Sequence, residues 1–213
     1  ATVLLLGKTQ SKLEAVYDEI EALGLALPAI LPMDLERADF AQMQKLAGLI
    51  EKEFGHLDGV LHNAAILGAL TPLEMYDPIT FEQVMRVNMT AVFMLTQSLI
   101  PLLRAAQSGS VVFTSSSVGA RPRAFWGAYA LSKQAVEGMA TIFTQETQNM
   151  TALRFNCINP GATRTNMRAH AFPGEDPYTL KTPEDIMPVY VYLMTDEASG
   201  IKGQVIDCQP KNA

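Results

Sequence analysis

Cysteine and charged residues are scarce in this 213-residue chain. Its two cysteines, Cys157 and Cys208, are too few for the disulfide framework of a small secreted domain, so we expect a reducing, cytoplasmic location. Charged residues make up 18%, and 16 Lys and Arg against 22 Asp and Glu give a net charge of −6. This acidic balance argues against nucleic acid and anionic membranes as partners, because both need basic patches.

Long apolar runs are also lacking. The longest uncharged stretch, Val87 to Leu103, contains several polar residues and a proline, and it is shorter than the ~20 residues that a membrane span needs. Clusters of His, Cys, Asp and Glu with metal-ligand spacing do not stand out either, so we predict no metal site. These absences leave an ordinary globular protein.

Short apolar runs alternate with longer segments of helical periodicity, which predicts an α/β fold with a doubly wound parallel sheet and helices on both faces. We expect a single domain over residues 1–213. The near-continuous apolar runs are typical of strands covered on both faces. The predicted strands are Val3–Leu6, Ala29–Met33, Gly59–His62, Ser110–Ser115, Leu153–Ile158 and Gln204–Asp207. The predicted helices are Ser11–Leu23, Phe40–Phe54, Ile79–Ala106, Ala128–Gln148 and Pro183–Leu193.

Tyr129 and Lys133 lie four residues apart on a predicted helix and therefore on one face of it. An ammonium there would lower the phenol pKa from its reference near ~10, so that Tyr129 could exchange protons near neutral pH. A surface ring beside a surface ammonium is the alternative. Ser116 ends a predicted strand and could polarise a carbonyl, or it belongs to a polar turn. Asn88, inside a predicted helix, suits a buried polar task or a satisfied core amide.

Taken together, these residues resemble the classical short-chain dehydrogenase/reductase family and, within it, the YciK-like bacterial oxidoreductases. The resemblance covers essentially the whole chain and implies a Rossmann-type fold, a nicotinamide cofactor and homo-oligomers. It assigns Tyr129 as the general acid/base, Ser116 as the group that orients the carbonyl, and Lys133 as the group that lowers the Tyr pKa and binds the nicotinamide ribose. Asn88 would hold a water in the proton relay.

The resemblance also implies a set of cofactor-binding residues that follow the strands. Lys8 stands where relatives that prefer NADP carry a basic residue, and an ammonium there can pair with a 2′-phosphate, so we expect NADP, with NAD possible. A solvated loop lysine is the alternative for Lys8. The predicted cofactor-binding residues are Lys8, Asp34, Leu35, Asn63, Ala64, Ala65, Tyr129, Lys133, Pro160, Gly161, Thr163 and Thr165.

Two departures from the family pattern stand out. The Asn-Asn-Ala-Gly turn reads His62-Asn63-Ala64-Ala65, and His62 is better explained as a packed or ribose-side residue than as a catalyst. The family's first strand and Gly-rich loop, which would cradle the pyrophosphate, are not found in the sequence. Because the chain opens directly into an apolar run, we expect roughly 30–40 further residues, about one βα unit, before residue 1.

The substrate side is predicted from the segments 118–128 and 163–182, within the long irregular stretch Pro160 to Thr182. Its arginines suggest an anionic or polar carbonyl substrate, whereas the alternative places them in solvent or at a subunit contact. Trp126 would wall the pocket or pack in the core. The candidate substrate residues are Ser116, Arg121, Trp126, Arg164 and Arg168, with Arg123 beside them.

Three functions remain open at this point. The first is an NADP(H)-dependent oxidoreductase that reduces a ketone or aldehyde, or oxidises the matching alcohol, as a homodimer or homotetramer. The second is a non-catalytic dinucleotide-binding regulator, against which the retention of both Tyr129 and Lys133 counts. The third is a different α/β enzyme, such as a methyl transferase. The apolar surface for a subunit contact would come from Met85, Met89, Val92, Phe93 and Met139, which could equally be core residues.

Overall fold

The protein alternates strands and helices along the chain. The structure is a computed structural model and describes residues 1–147 and 152–210. The strands are β1 (Leu4–Gly7), β2 (Ala29–Pro32), β3 (Gly59–His62), β4 (Ser110–Thr114), β5 (Arg154–Asn159) and β6 (Val205–Asp207). The helices are α1 (Gln10–Ala22), α2 (Phe40–Phe54), α3 (Pro78–Met85), α4 (Ala91–Ala105), α5 (Ser117–Ala120), α6 (Gly127–Thr147), α7 (Asn166–Ala171) and α8 (Pro183–Met194).

All strand pairs are parallel, and they form two sheets. β1 pairs with β2, while β3, β4, β5 and β6 form a four-stranded sheet in that order. This arrangement confirms the predicted α/β class with parallel strands. Among the described residues, strand pairing does not connect β1 to β3. The expectation of a further central strand and Gly-rich loop stays a prediction.

The main core lies between the four-stranded sheet and the helices α2, α4 and α6. Val111 and Phe113 of β4 and Phe155 of β5 are fully buried there, as expected for strands covered on both faces. The same expectation was wrong for β1, β2 and β3, whose residues are only partly buried. Leu61 of β3 is 40% exposed, because it lines a cavity at the end of the sheet.

The boundaries of α2 match the prediction because its first turn carries a reciprocal cap. The Asp39 carboxylate accepts a hydrogen bond from the Gln42 N–H at 2.8 Å, and the Gln42 side chain accepts one from the Asp39 N–H at 2.9 Å. The helix ends at Gly55, whose φ of +76° suits a residue without a side chain. Such a cap stabilises a helix by about 1 kcal/mol.

The predicted helix Ile79–Ala106 is wrong as a single α-helix. A π-helical turn over Arg86–Thr90 separates α3 from α4. Arg86 in this turn donates hydrogen bonds to the carbonyl oxygens of Glu36, at 3.2 Å, and of Ala38. The turn therefore ties the helix to the loop after β2. Elsewhere, the predicted helix Ala128–Gln148 corresponds to α6, and Gln148 lies outside the described residues.

The segment 160–182 is less irregular than predicted, because it contains α7 and a short 3-10 turn, Pro177–Thr179. An isolated parallel bridge between Thr163 and Lys181 closes the segment, with the Arg164 N–H donating to the Lys181 oxygen at 2.8 Å. The closed segment packs α7 over the carboxyl ends of the strands. This placement brings α7 to the cavity described next.

Candidate active site

A cavity of about 390 Å³ opens at the carboxyl ends of β3, β4 and β5. In a parallel α/β sheet this edge is where ligands bind. Most of the predicted site residues line it together: Asn63, Ala65, Ser116, Trp126, Tyr129, Lys133, Pro160, Gly161, Thr163, Thr165 and Arg168. The predicted residues outside its lining are Lys8, Asp34, Leu35, Ala64, Asn88, Arg121 and Arg164.

Tyr129 and Ser116 meet at the centre of this cavity. Ser116 caps the amino end of α5, and Tyr129 lies in the first turn of α6, where it is 8% exposed. Both hydroxyls line the cavity, and the Ser116 hydroxyl interacts with the Tyr129 phenol. Burial raises the pKa of the Tyr129 phenol above its ordinary value, and the Ser116 contact opposes this only in part. The phenol is therefore held in its protonated form at neutral pH, as a proton donor requires.

Lys133 is buried one helical turn beyond Tyr129. Its Nζ donates a hydrogen bond to the backbone carbonyl oxygen of Thr114 at 2.7 Å. The same Nζ lies 5.6 Å from the centroid of the Tyr129 ring. Burial lowers the pKa of the ammonium to about 8. Desolvation of the phenol dominates and drives the Tyr129 pKa upward, so the expectation that Lys133 lowers this pKa stays a prediction.

Asn88 lies in the π-helical turn and is 1% exposed. Its amide oxygen accepts from the Ile66 N–H at 2.9 Å, and its Nδ2 donates to the Ile66 oxygen at 2.9 Å and to Ser132 Oγ at 3.1 Å. Ser132 Oγ in turn donates to the backbone carbonyl oxygen of Tyr129 at 2.8 Å. Asn88 thus connects the chain after β3 to the turn of α6 that carries Tyr129 and Lys133.

Behind the cavity, a second polar contact supports the end of β4. Ser115 Oγ donates to Glu137 Oε1 at 2.5 Å, and the Ser115 N–H donates to the Ile158 oxygen at 2.6 Å. Cys157 lies beside this contact, where burial raises the pKa of its thiol to about 12. Ser115, which precedes Ser116, is therefore fixed by hydrogen bonds of both its backbone and its side chain.

The predicted cofactor residues fall into two groups. Asn63 accepts from Thr114 Oγ1 at 2.9 Å, and the backbone of Pro160 to Ala162 is held by Gln209, whose Nε2 donates to the Pro160 and Ala162 oxygens at 2.9 and 3.0 Å. Asn63 and the segment at Pro160 form the first group, which lies at the cavity. The second group lies outside the cavity lining. Lys8 is exposed at the end of β1, and Asp34 follows β2, where it accepts from the Glu36 N–H at 3.0 Å. Leu35 is partly buried, and its side chain packs against the main core.

His62 is a packed residue, in agreement with the sequence analysis. Its ring stacks on Phe113 with centroids 5.2 Å apart, and its Nε2 lies 2.9 Å from Thr96 Oγ1. Thr96 donates its own proton to the Val92 oxygen, so Nε2 carries the ring proton in this contact. Burial lowers the pKa of His62 to about 4, which keeps the ring neutral at physiological pH.

The candidate substrate residues separate clearly. Trp126 lines the cavity, with its ring centroid 5.9 Å from that of Tyr129. Arg121 is exposed outside it. Arg164 donates to the oxygens of Pro177 and Leu180, so it holds the closed segment together from within. Arg168 lines the cavity, but it forms a bidentate ion pair with Glu175, at 2.5 and 2.6 Å.

Several further lining residues were not singled out in the sequence analysis, among them Thr114, Met167 and Tyr190. Thr114 precedes the serines that end β4, and this position is a signal that could have identified it. Met167 and Tyr190 reach the cavity from α7 and α8, and a sequence pattern does not reveal which helix folds over which sheet edge.

The cavity fits the nicotinamide half of a dinucleotide cofactor. Lys133 is 3% exposed, and among the described residues its Nζ makes one hydrogen bond. An ammonium has three N–H donors, so donors remain at the cavity wall for ribose hydroxyls. In the same part of the chain, groups of three or more His, Cys, Asp or Glu that could hold a metal ion are not found. Nor is any described helix long and apolar enough to cross a membrane.

Comparisons with known proteins agree with this geometry. The family model described as short chain dehydrogenase matches residues 1–176. The uncharacterized oxidoreductase YciK of Escherichia coli strain K12 is 50% identical over 210 residues, which are 99% of this chain and 82% of that protein.

Solved structures show the same similarity. A short chain dehydrogenase from Salmonella enterica serovar Typhi CT18 superposes with a TM-score of 0.96 at 50% identity, covering 99% of this chain and 86% of that one. A protein of Escherichia coli CFT073, described as a short chain dehydrogenase and complexed with NADPH, gives a TM-score of 0.95 at 50% identity, covering 99% and 87%. The predicted family is therefore confirmed, and this chain belongs to the short-chain dehydrogenase family of oxidoreductases.

Proposed function

We propose that this chain is an NADP(H)-dependent oxidoreductase that reduces a ketone or aldehyde, or oxidises the matching alcohol, with Tyr129 as the general acid/base. The observation that carries the proposal is that Tyr129, Ser116 and Lys133 line one cavity at the carboxyl ends of the strands, with Ser116 interacting with the Tyr129 phenol. A hydroxyl pair of this kind can bind one carbonyl oxygen from two sides.

The residues divide the chemistry between them. Bound NADPH supplies the hydride that the carbonyl carbon receives. The Ser116 hydroxyl donates a hydrogen bond to the carbonyl oxygen, and Tyr129 transfers its phenolic proton to that oxygen, which gives the alcohol. For alcohol oxidation Tyr129 takes the proton back. Because burial keeps the Tyr129 pKa raised, the protonated phenol is its resting form.

Lys133 and Asn88 support this step in different ways. Lys133 would hold the ribose hydroxyls with the N–H donors that Thr114 leaves free, and its positive charge stabilises the phenolate that proton transfer creates. Asn88 positions the Tyr129 turn through Ser132 and fixes the Ile66 backbone. The water of the proton relay would be held by this part of the chain.

The proposed cofactor site extends along the sheet edge from Asn63, Ala65, Pro160, Gly161, Thr163 and Thr165 to Ala64, Asp34, Leu35 and Lys8. The similar Escherichia coli CFT073 protein is complexed with NADPH, which supports NADP as the cofactor. Lys8 is exposed at the end of β1, and its ammonium would pair with the 2′-phosphate.

We also propose that the enzyme works in the cytoplasm as a homodimer or homotetramer. Of the apolar residues considered for a subunit contact, Val92 is buried in the core, whereas Phe93 is 41% exposed on α4. Leu131 and Ile142 are exposed on α6 and add apolar surface. The contact would therefore use Phe93, Leu131 and Ile142 rather than Val92.

The test begins with titrations of the protein with NADPH and with NADH, which measure the affinity for each nucleotide. A screen of carbonyl compounds follows, with NADPH oxidation as the measure of turnover. Tighter binding of NADPH and turnover of a ketone are expected. Lys8→Ala should reduce NADPH affinity and leave NADH affinity unchanged, with the exposed Lys12→Ala as control. Binding without turnover of any carbonyl compound would favour the non-catalytic regulator, and binding of neither nucleotide would contradict the oxidoreductase.

A further inference from the structure

The wall of the cavity beside Tyr129 is apolar. Leu67, Trp126 and Met167 pack against the cluster of Val118, Tyr129 and Ala130. Ala171 and Met187 extend this wall from α7 and α8. A substrate that presents its carbonyl oxygen to Tyr129 and Ser116 therefore places the rest of its body against carbon atoms. Such a wall favours apolar surface, at roughly 25 cal/mol for each Å² that leaves water.

Arg168 lines the cavity beside this wall, and its charge is already matched. Its guanidinium forms two parallel hydrogen bonds to the Glu175 carboxylate and stacks on the Phe172 ring, with Cζ 3.7 Å from the centroid. The Arg168 hydrogen bonds hold the Glu175 pKa below its usual range, so this carboxylate stays ionised at neutral pH. A fork of this geometry uses two of the five N–H donors of Arg168 and cancels its charge, so the guanidinium is not an unmatched cation for a substrate carboxylate.

The charge of Lys133 does not replace it. One of its N–H donors binds the Thr114 carbonyl oxygen, and its remaining donors are assigned to the proposed ribose site. A carboxylate on the substrate would therefore lose its hydration without gaining an unpaired cation, and burial of an unpaired charge is strongly unfavourable. The net charge of the Arg168–Glu175 pair is zero.

We propose that the substrate is an uncharged carbonyl compound with an apolar body, and that Glu175, by matching the charge of Arg168, leaves the site without an unpaired cation for a carboxylate. This inference rests on the proposed oxidoreductase and names its substrate class. It departs from the anionic substrate that the arginine content of the sequence suggested, because the structure pairs the one arginine that reaches the cavity.

The test uses two ketones that differ in one charge, methyl 4-oxocyclohexanecarboxylate and 4-oxocyclohexanecarboxylate. NADPH oxidation gives kcat/KM for each. Trp126 is the single tryptophan of the chain and lines the cavity, so its fluorescence gives a binding constant that does not depend on turnover. The wild type should prefer the methyl ester by about tenfold or more in both measurements.

Two variants connect this preference to the ion pair. Glu175→Gln leaves Arg168 charged and unmatched, so the preference for the ester over the carboxylate should fall about tenfold. Glu51→Gln, which removes an exposed carboxylate on α2, should leave the preference unchanged. The double variant Arg168→Met with Glu175→Met removes both charges and should retain the preference for the ester. It also guards against a single variant that fails to fold.

The outcomes separate the two proposals. Turnover of both ketones with the carboxylate preferred, or a Glu175→Gln variant with an unchanged preference, would overturn the substrate class and leave the oxidoreductase standing. A Trp126 response that ranks the ester above the carboxylate, without any turnover, would support the substrate class while the oxidoreductase fails. A protein that shows neither turnover nor a Trp126 response to the ester at millimolar concentration would overturn this inference.

Discussion

Ser115 and Glu137 are joined by a hydrogen bond of 2.5 Å that lies directly beside the backbone of Gly119 in α5. A Cβ added to Gly119 would lie 2.7 Å from Ser115 Oγ and 2.8 Å from Glu137 Oε1. These distances are too short for real atoms, so the pair would have to move. The glycine is therefore required by the pair and not by the backbone of α5.

Gly119→Ala should accordingly lower the free energy of unfolding by about 1–3 kcal/mol, because the added methyl overpacks the contact. The matched control is Gly138→Ala on α6, where a Cβ would meet nothing within 4 Å. That substitution should raise the free energy of unfolding by about 0.5–1 kcal/mol, since alanine is the better helix former. Denaturant titration of both variants measures the difference, and equal effects would contradict the steric explanation.

Tyr129→Phe should reduce kcat by roughly 100-fold or more, since it removes the proton donor and keeps the ring. The dissociation constant of NADPH should stay nearly the same, because the ring still packs against Trp126. Tyr178→Phe provides the control, as Tyr178 is 82% exposed and outside the cavity lining. Steady-state kinetics and NADPH titration measure both effects. Retained turnover in the Tyr129 variant would remove this residue from the mechanism.

The lowered pKa of Lys133 predicts that the stability of the protein depends on pH. Its pKa is about 8 in the folded protein and 10.5 as the ordinary value, so between these values the unfolded chain binds more protons and stability rises with pH. Below pH 8 the buried ammonium opposes folding. Relative to Lys133→Met, the wild type should therefore gain about 2 kcal/mol in free energy of unfolding between pH 7 and pH 10.

Urea titrations of the wild type and of Lys133→Met at several pH values make this measurement, and the difference between the two proteins isolates the lysine. A difference that falls or stays constant as the pH rises would contradict the lowered pKa. The same substitution should weaken NADPH binding at pH 7, because it removes the N–H donors at the cavity wall.

Both thiols should be unreactive in the native protein. Burial raises the pKa of Cys157 to about 12 and that of Cys208 to about 11, and the thiolate is the reactive form. A colorimetric thiol reagent at pH 8 should label neither cysteine over minutes, whereas the denatured chain should release two equivalents at once. Rapid labelling of the native protein would show that one of the two thiols is accessible as a thiolate.

The positions of the strands and of most helices could be predicted because their signals are local. The apolar run of β4 and the Asp39 cap of α2 identify those elements without reference to the rest of the chain. The π-helical turn at Arg86–Thr90 could not be predicted, because one inserted residue leaves the apolar periodicity on either side intact. Helix α7 has six residues, too few to show periodicity within a loop.

The residue types at the centre of the site were predictable, but their electrostatics were not. The spacing of Tyr129 and Lys133 places them on one helical face, yet the direction of the Tyr129 pKa depends on how much of the phenol the surrounding elements bury. In the same way, the charge of Arg168 is visible in the sequence, whereas its pairing with Glu175 depends on the fold of the segment between them.

The uneven burial of the described strands has a consequence for local unfolding. None of the residues of α1 is buried, and β1 and β2 are only partly covered, whereas β4 and most of β5 lie in the fully buried core. Units with little buried apolar surface open at a lower free energy than the core. Backbone amides of β1 and β2 should therefore exchange with deuterium well before those of β4 and β5. The end of the site near Lys8 would then open and close on a faster timescale than the end that contains Tyr129.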